Sequence, residues 1–131
     1  MKYESPHFFL PFHSIAMSHI DVTAATFATD VLEASKSSVV LADFWAPWCG
    51  PCRMIAPLLE EISSMPEFAG KLVVAKINVD EHPDLAEKYE IQGIPNMKFF
   101  RQGDIVAEVT GFHPAETKDL LLEHIRSYLP A

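Results

Sequence analysis

The chain has only two cysteines, and they stand three apart in Trp48-Cys49-Gly50-Pro51-Cys52. An apolar run, Val39-Val40-Leu41-Ala42-Asp43-Phe44-Trp45, leads into the pair. A helical pattern, Met54-Ile55-Ala56-Pro57-Leu58-Leu59-Glu60-Glu61-Ile62, leads away from it. Two thiols where a strand passes into a helix make a redox site. At the start of a helix, unpaired backbone N–H groups and the helix dipole favour negative charge, so the thiol of Cys49 is biased towards nucleophilic thiolate. Cys52 lies one turn inside, close enough to close a small ring. Pro51 suits the first helical turn, where its missing N–H is not needed. A C-x-x-C pair can also be half of a zinc site, or two buried cysteines without chemistry. Zinc wants four ligands, and the other two would have to come from His7, His13, His19, His82, His113 and His124. Proline between the thiols, tryptophan before them and a strand in front favour redox exchange.

A length of 131 residues implies one domain with a core large enough to need no cross-links. The net charge of -8, with no Lys/Arg run, argues against a nucleic-acid partner. The apolar runs fall short of the ~20 residues that span a bilayer. A single C-x-x-C pair fits a reducing compartment, where it cycles, better than a secreted disulfide scaffold. Residues 1–17 form an extension outside the 18–131 domain, either a disordered leader or a segment upstream of a start at Met17. Ser14-Ile15-Ala16 has the form of a signal cleavage site, but Pro11 cuts the apolar stretch before it and Glu4 offsets Lys2. Phe8, Phe9 and Phe12 could instead dock on the body.

Along the domain, Ile20-Asp21-Val22 reads as a short strand. A helix follows, capped by Thr23 or Thr26 and running to about Ala34, with Phe27, Val31 and Leu32 as its buried stripe. Val39 to Trp45 reads as a central strand covered on both faces. Asp43 in that strand either faces water at its end or lies buried behind the cysteines with a raised pKa. Pro51 to about Met65 reads as a helix interrupted by Pro57, and Ser63 to Gly70 as a connection. Lys71 to Asp80 is the next buried strand, joined by a right-handed parallel crossover; Lys76 within it can snorkel to the surface. A helix starts at Pro83 after a solvated His82. Met97 to Phe100 and Ile105 to Thr110 read as two strands around a hairpin turn at Arg101-Gln102-Gly103-Asp104. The last helix runs from Pro114 to Tyr128, with Leu120, Leu121 or Leu122, Ile125 and Leu129 at helical spacing, and His113 and His124 on the surface.

The segment Phe44-Trp45-Ala46-Pro47-Trp48-Cys49-Gly50-Pro51-Cys52-Arg53-Met54-Ile55-Ala56-Pro57 resembles the active-site segment of the thioredoxin family. The resemblance runs from about Ile20 to Leu129 and includes a second signature, Gly93-Ile94-Pro95. It implies an α/β thioredoxin fold, a central mixed five-stranded sheet flanked by four helices. The first three strands would be parallel and the last two antiparallel to them. It implies a thiol–disulfide oxidoreductase that reduces disulfides in client proteins and is regenerated by a separate thioredoxin reductase. No cofactor beyond the redox-active Cys49–Cys52 disulfide is expected, nor any metal. A monomer in the cytoplasm, with no nucleic-acid or membrane partner, is the implied setting.

The same resemblance assigns the site. Cys49 is the nucleophile and Cys52 the resolving thiol. Asp43 is the proton acceptor for Cys52, and Lys76 lies beside Asp43 and tunes it. Gly50, Pro51 and a cis Pro95 shape the site. Trp48, Ile94, Pro95, Gly111 and Phe112 form the client groove, although Phe112 could pack inward instead. Asn96 departs from the family's usual Thr, which bears on fine tuning. Two other readings stand beside this one. One is a thioredoxin-fold binding module or holdase subunit. The other is a disulfide oxidase or isomerase in an oxidising compartment, against which Gly50-Pro51 argues.

Overall fold

Seven consecutive residues with one charge among them can be accommodated only where both faces of a strand are covered. In the computed structural model, which describes residues 19–131, Val39–Trp45 (β2) is the middle strand of a five-stranded sheet. The other strands are β1 (Ile20–Asp21), β3 (Leu72–Asn78), β4 (Asn96–Arg101) and β5 (Asp104–Thr110). Their order is β1-β3-β2-β4-β5. β1 and β2 both pair with β3 in parallel, and β4 pairs antiparallel with β2. β5 is antiparallel to β4 and so runs with the first three strands, not against them as expected. A tight hairpin reverses the chain, so β4 alone opposes the rest.

Alternation along β2 divides the core into two layers. Val39 and Leu41 face one cluster with Ile55, Leu59, Ile62, Met97, Phe99, Leu121 and Ile125. Val40, Ala42 and Phe44 face the other, with Val22, Phe27, Val31, Ile77, Leu85 and Phe100. The first layer is closed by helices α2 (Gly50–Ser63) and α4 (Pro114–Ser127). In α2 the buried positions are Cys52, Ile55, Leu59 and Ile62, spaced three and four apart on one face despite Pro57. In α4 they are Thr117, Leu121 and Ile125, four apart; Leu120 points to solvent. Each such aliphatic side chain contributes about 1.5–3 kcal/mol by leaving water. The connection after α2 carries a 3₁₀ turn, Pro66–Phe68, that buries Phe68 under the same layer.

The second layer is closed by α1 (Ala28–Glu33) and α3 (Pro83–Lys88). Thr23 and Thr26 cap each other: Thr23 N donates to Thr26 Oγ1 at 3.0 Å and Thr26 N to Thr23 Oγ1 at 3.2 Å. Beyond that cap α1 is wound as a π-helix and tightens into a 3₁₀ turn at Ala34–Lys36, departing from the plain α-helix expected. The turn is where the far hairpin docks. Ser35 O accepts from Gln102 N at 2.8 Å and from the Arg101 guanidinium at 2.7 Å, while Ser35 Oγ accepts from Gly103 N at 2.8 Å. Gln102 and Gly103 both have positive φ, the backbone of a two-residue hairpin that follows sheet twist.

Two histidines expected on the surface are partly covered. His82 lies just before α3, where its Nδ1 accepts from Ala24 N at 3.4 Å, and His124 packs its ring 5.4 Å from that of Phe99. The chain leaves α3 through Tyr89, whose ring centroid lies 5.1 Å from Phe27 and 5.9 Å from Phe100. Glu90 then takes φ 55°, a left-handed conformation that an L side chain resists. Glu90 is exposed. Glu90→Gly is expected to raise stability by about 0.5–1 kcal/mol, the relief of left-handed strain less the extra entropy of glycine. Urea unfolding of the two proteins measures it; a less stable Gly variant would show that Glu90 is not strained.

Candidate active site

β2 ends at Trp45, and after four intervening residues the chain enters α2 at Gly50. Cys49 occupies the cap position of that helix, with φ -85° and ψ 111°. There its Sγ accepts from Cys52 N at 3.2 Å, as a Ser or Asp side chain would at an ordinary cap. Sulfur at this position sits on unpaired N–H groups and the positive end of the helix dipole, so negative charge on Cys49 is favoured. Cys49 and Cys52 are joined as a disulfide with Cα atoms 5.2 Å apart. Both are nearly covered, 4% and 2% exposed, so helix position and not exposure distinguishes them. Pro51 lies exposed in the first turn, and Gly50 at its start.

Asp43 is completely buried, on the β2 face that carries Leu41 and faces α2. Among the described residues neither carboxylate oxygen has a hydrogen-bond partner. Loss of water raises its pKa from the ordinary 3.8 to about 7, and the positive charge of Lys76 opposes part of that rise. Lys76 is the register partner of Asp43 across the parallel β2–β3 pair. Its ammonium lies 4.6 Å from the centre of the Trp45 ring, which holds the cation near the sheet surface.

The opposing wall comes from the start of β4, which antiparallel pairing places beside the end of β2. The Ile94–Pro95 peptide bond is cis. Ile94 packs with the Cys49, Cys52 and Ala46 cluster, and its carbonyl oxygen lies 3.8 Å from Cys49 Sγ. Pro95 is buried, and its carbonyl accepts from Gly111 N at 2.8 Å. Gly111 has φ 81°, a conformation that favours glycine. Trp48 stands 66% exposed beside the disulfide. Phe112 is half-buried and packs against the α2/α4 core layer, the inward alternative.

The sequence does not single out Asp80, yet its Oδ2 accepts from Trp48 Nε1 at 2.8 Å and so orients the indole. No sequence signal points to it, because water can satisfy an exposed indole N–H and only the placement of the strand ends brings Asp80 beside Trp48. Asn96, a departure from the family pattern, lies in a polar cluster on the reverse face of the sheet. Among the described residues no group of three or more His, Cys, Asp and Glu side chains could hold a metal ion, and no helix is long and apolar enough to cross a membrane.

Comparison with known proteins extends the likeness from these residues to the domain. The thioredoxin family model matches residues 18–127. A curated thioredoxin of Staphylococcus aureus (strain Mu50) is 44% identical over 110 residues, covering 83% of this chain and 100% of that protein. Among solved structures, a thioredoxin of Malassezia sympodialis is 32% identical with a TM-score of 0.70, covering 81% of this chain and 90% of its own. A single-site variant of thioredoxin from Halobacterium salinarum NRC-1 is 36% identical with a TM-score of 0.70, covering 87% of this chain and 94% of its own. A match that spans a whole relative, on a sheet that brings the paired cysteines against the Ile94–Pro95 turn, leaves no other placement: the chain belongs to the thioredoxin family.

Proposed function

We propose that this thiol–disulfide oxidoreductase reduces disulfides of client proteins through Cys49, and that Cys52, Asp43 and Lys76 complete the cycle. The observation that carries this reading is the position of Cys49 Sγ on the α2 cap, accepting from Cys52 N. In the reduced protein the Cys49 thiolate attacks one sulfur of a client disulfide. A Cys49–client bond forms, and the other client sulfur leaves as a thiolate that takes up a proton. Cys52 gives its proton to Asp43 and attacks Cys49 Sγ. The mixed disulfide breaks, the client departs with both sulfurs reduced, and the Cys49–Cys52 disulfide is left. The two electrons have come from the Cys49–Cys52 dithiol. A thioredoxin reductase restores it, and the chain itself is the electron carrier between that enzyme and the client.

Asp43 suits the proton step because burial places its pKa near neutrality. Lys76 keeps that pKa from rising further and so keeps the carboxylate available. Trp48, Ile94, Pro95, Gly111 and the exposed part of Phe112 bound the groove in which an extended client segment lies, with Gly50 and Pro51 at its floor. The likeness to bacterial thioredoxins supports a cytoplasmic setting, and the chain acts as a monomer on clients without nucleic acid or membrane. Gly50-Pro51 between the thiols supports a reductase over an oxidase or isomerase.

Cys52→Ser removes the resolving thiol and is expected to hold clients on Cys49 as mixed disulfides, recoverable by mass spectrometry from an oxidised client mixture. If no client is recovered bonded to Cys49, the roles given to the two thiols are wrong.

Asp43 gives two further expectations. Its pKa is higher folded than unfolded, so the folded state holds the proton more tightly. Its contribution is therefore best at low pH and is lost as pH rises from about 4 to about 7. Asp43→Asn, which cannot ionise, should be more stable than the parent above pH 7 by about 4 kcal/mol, an advantage that disappears towards pH 4. Denaturant unfolding across pH measures this; a constant difference would mean that Asp43 does not titrate near neutrality. In turnover the same variant should be slower mainly between about pH 7 and 8. The deficit should narrow below that range, where the parent's carboxyl is already protonated and accepts no proton. A pH-independent ratio of rates would remove Asp43 from the proton step.

A further inference from the structure

Asn96 opens β4 and directly follows Pro95. Met97 and Phe99 enter the α2/α4 layer, so alternation sends Asn96 and Lys98 to the opposite face, away from the cysteines. Asn96 is only 5% exposed. Its Nδ2 donates to Glu108 Oε2 at 2.8 Å and to Thr110 Oγ1 at 3.2 Å, both on β5. Thr110 is its register partner. Glu108 Oε2 also accepts from Lys98 Nζ at 2.6 Å. Both contacts, from Asn96 first and Lys98 second, hold the Glu108 carboxyl below its ordinary pKa. With Gly93, these four side chains line a cavity of about 460 Å³ on the reverse side of the Ile94–Pro95 turn.

The residue after Thr110 is Gly111, whose N–H donates to Pro95 O at 2.8 Å. The start of β4 and the end of β5 are thus held together twice. A main-chain bond joins Pro95 and Gly111, and a side-chain fork joins Asn96 to Glu108 and Thr110. These strand ends carry Pro95 and Gly111, which bound the client groove. The arrangement has a cost, because Asn96 Oδ1 is buried without a partner among the described residues, and the Lys98 charge is held largely out of water. A threonine at this position would bury no orphan oxygen but lacks the reach of an amide to two β5 side chains.

We propose that Asn96 is a positioning residue: by binding Glu108 and Thr110 it sets the separation of Pro95 from Gly111, and so the fit of the groove to an extended protein segment. The inference rests on the reading of those two residues as groove walls. A small disulfide needs only Cys49, whereas a protein disulfide needs the walls as well. The two should therefore respond differently to Asn96.

The test uses the full chain, pre-reduced, with insulin as protein disulfide and hydroxyethyl disulfide as small one. Thermal unfolding is run on every variant to confirm folding. In single-turnover reduction, where the dithiol itself supplies the two electrons, Asn96→Ala is expected to lower the second-order rate constant for insulin roughly tenfold through weaker saturation, with less than about a twofold change for hydroxyethyl disulfide. Asn96→Thr, whose shorter hydroxyl can bind one β5 partner at most, should recover only part of the loss. The double variant Lys98→Met/Glu108→Gln keeps an acceptor for Asn96 while removing both charges, and should retain the parent's preference for insulin. Equal losses on both substrates, no loss on either, or loss of insulin only in the charge-free double variant would overturn the proposal. The last of these would make the cluster a charge-recognition site instead. A parent protein with no preference for insulin would overturn the groove reading itself, and this inference with it.

Discussion

Covering β2 on both faces is the constraint to which the rest of the structure answers. Its alternating side chains assign every other element to one of two layers, α2 with α4 or α1 with α3. Its pairing on both edges, parallel with β3 and antiparallel with β4, leaves no main-chain group of its middle residues without a partner strand. The same double cover excludes water from Asp43, the single charge in the strand. A carboxylate placed on an exposed strand would keep its ordinary acidity, whereas Asp43 is pushed up to about 7. Here the fold's main source of stability is also what tunes the site.

The active site is then a meeting of chain ends supported by that sheet. The Cys49 cap comes after β2, Asp80 after β3, and the Ile94–Pro95 turn before β4. Gly111 follows β5. Each sits where a strand stops and main-chain groups become available for other bonds. Cys49 takes a helical N–H, Pro95 O takes the N–H of Gly111, and Trp48 takes an acid from the neighbouring strand end. Opposing electrostatic demands are kept in separate places. The helix end favours charge on Cys49, while the interior disfavours it on Asp43.

What can be read from the sequence divides along physical lines. The cysteine pair, Pro51 in the first helical turn and the apolar β2 each express a local requirement that only a few residue types meet, so they are legible at once. The Thr23–Thr26 cap and the hairpin at Gln102-Gly103 are legible for the same reason. The family resemblance supplies what local pattern does not, the cis bond before Pro95 and the placement of Lys76 beside Asp43. Asp80, and the cluster of Asn96, Lys98, Glu108 and Thr110, are not legible, because they are defined by which residue lies opposite which. A one-residue change of register would dissolve them without altering the hydrophobic pattern. The π winding of α1 belongs with these. Its helical period is visible in Phe27 and Val31, but the way it ends is set by a hairpin docking from 66 to 68 residues away.

That docking at Ser35 bears on how the chain assembles. One serine gathers donors from Arg101, Gln102 and Gly103, so its bonds close the longest loops in the hydrogen-bond network of this region. Closing such loops costs entropy that only later contacts offset, so a topology rich in them folds more slowly than one built from neighbours. The contacts of Arg101, Gln102 and Gly103 with Ser35 can form only once β4 and β5 have been made. During synthesis they wait for the second half of the domain to emerge, and until then the end of α1 rests on local bonds alone, from Ser37 N and Ser38 N to Ala34 O.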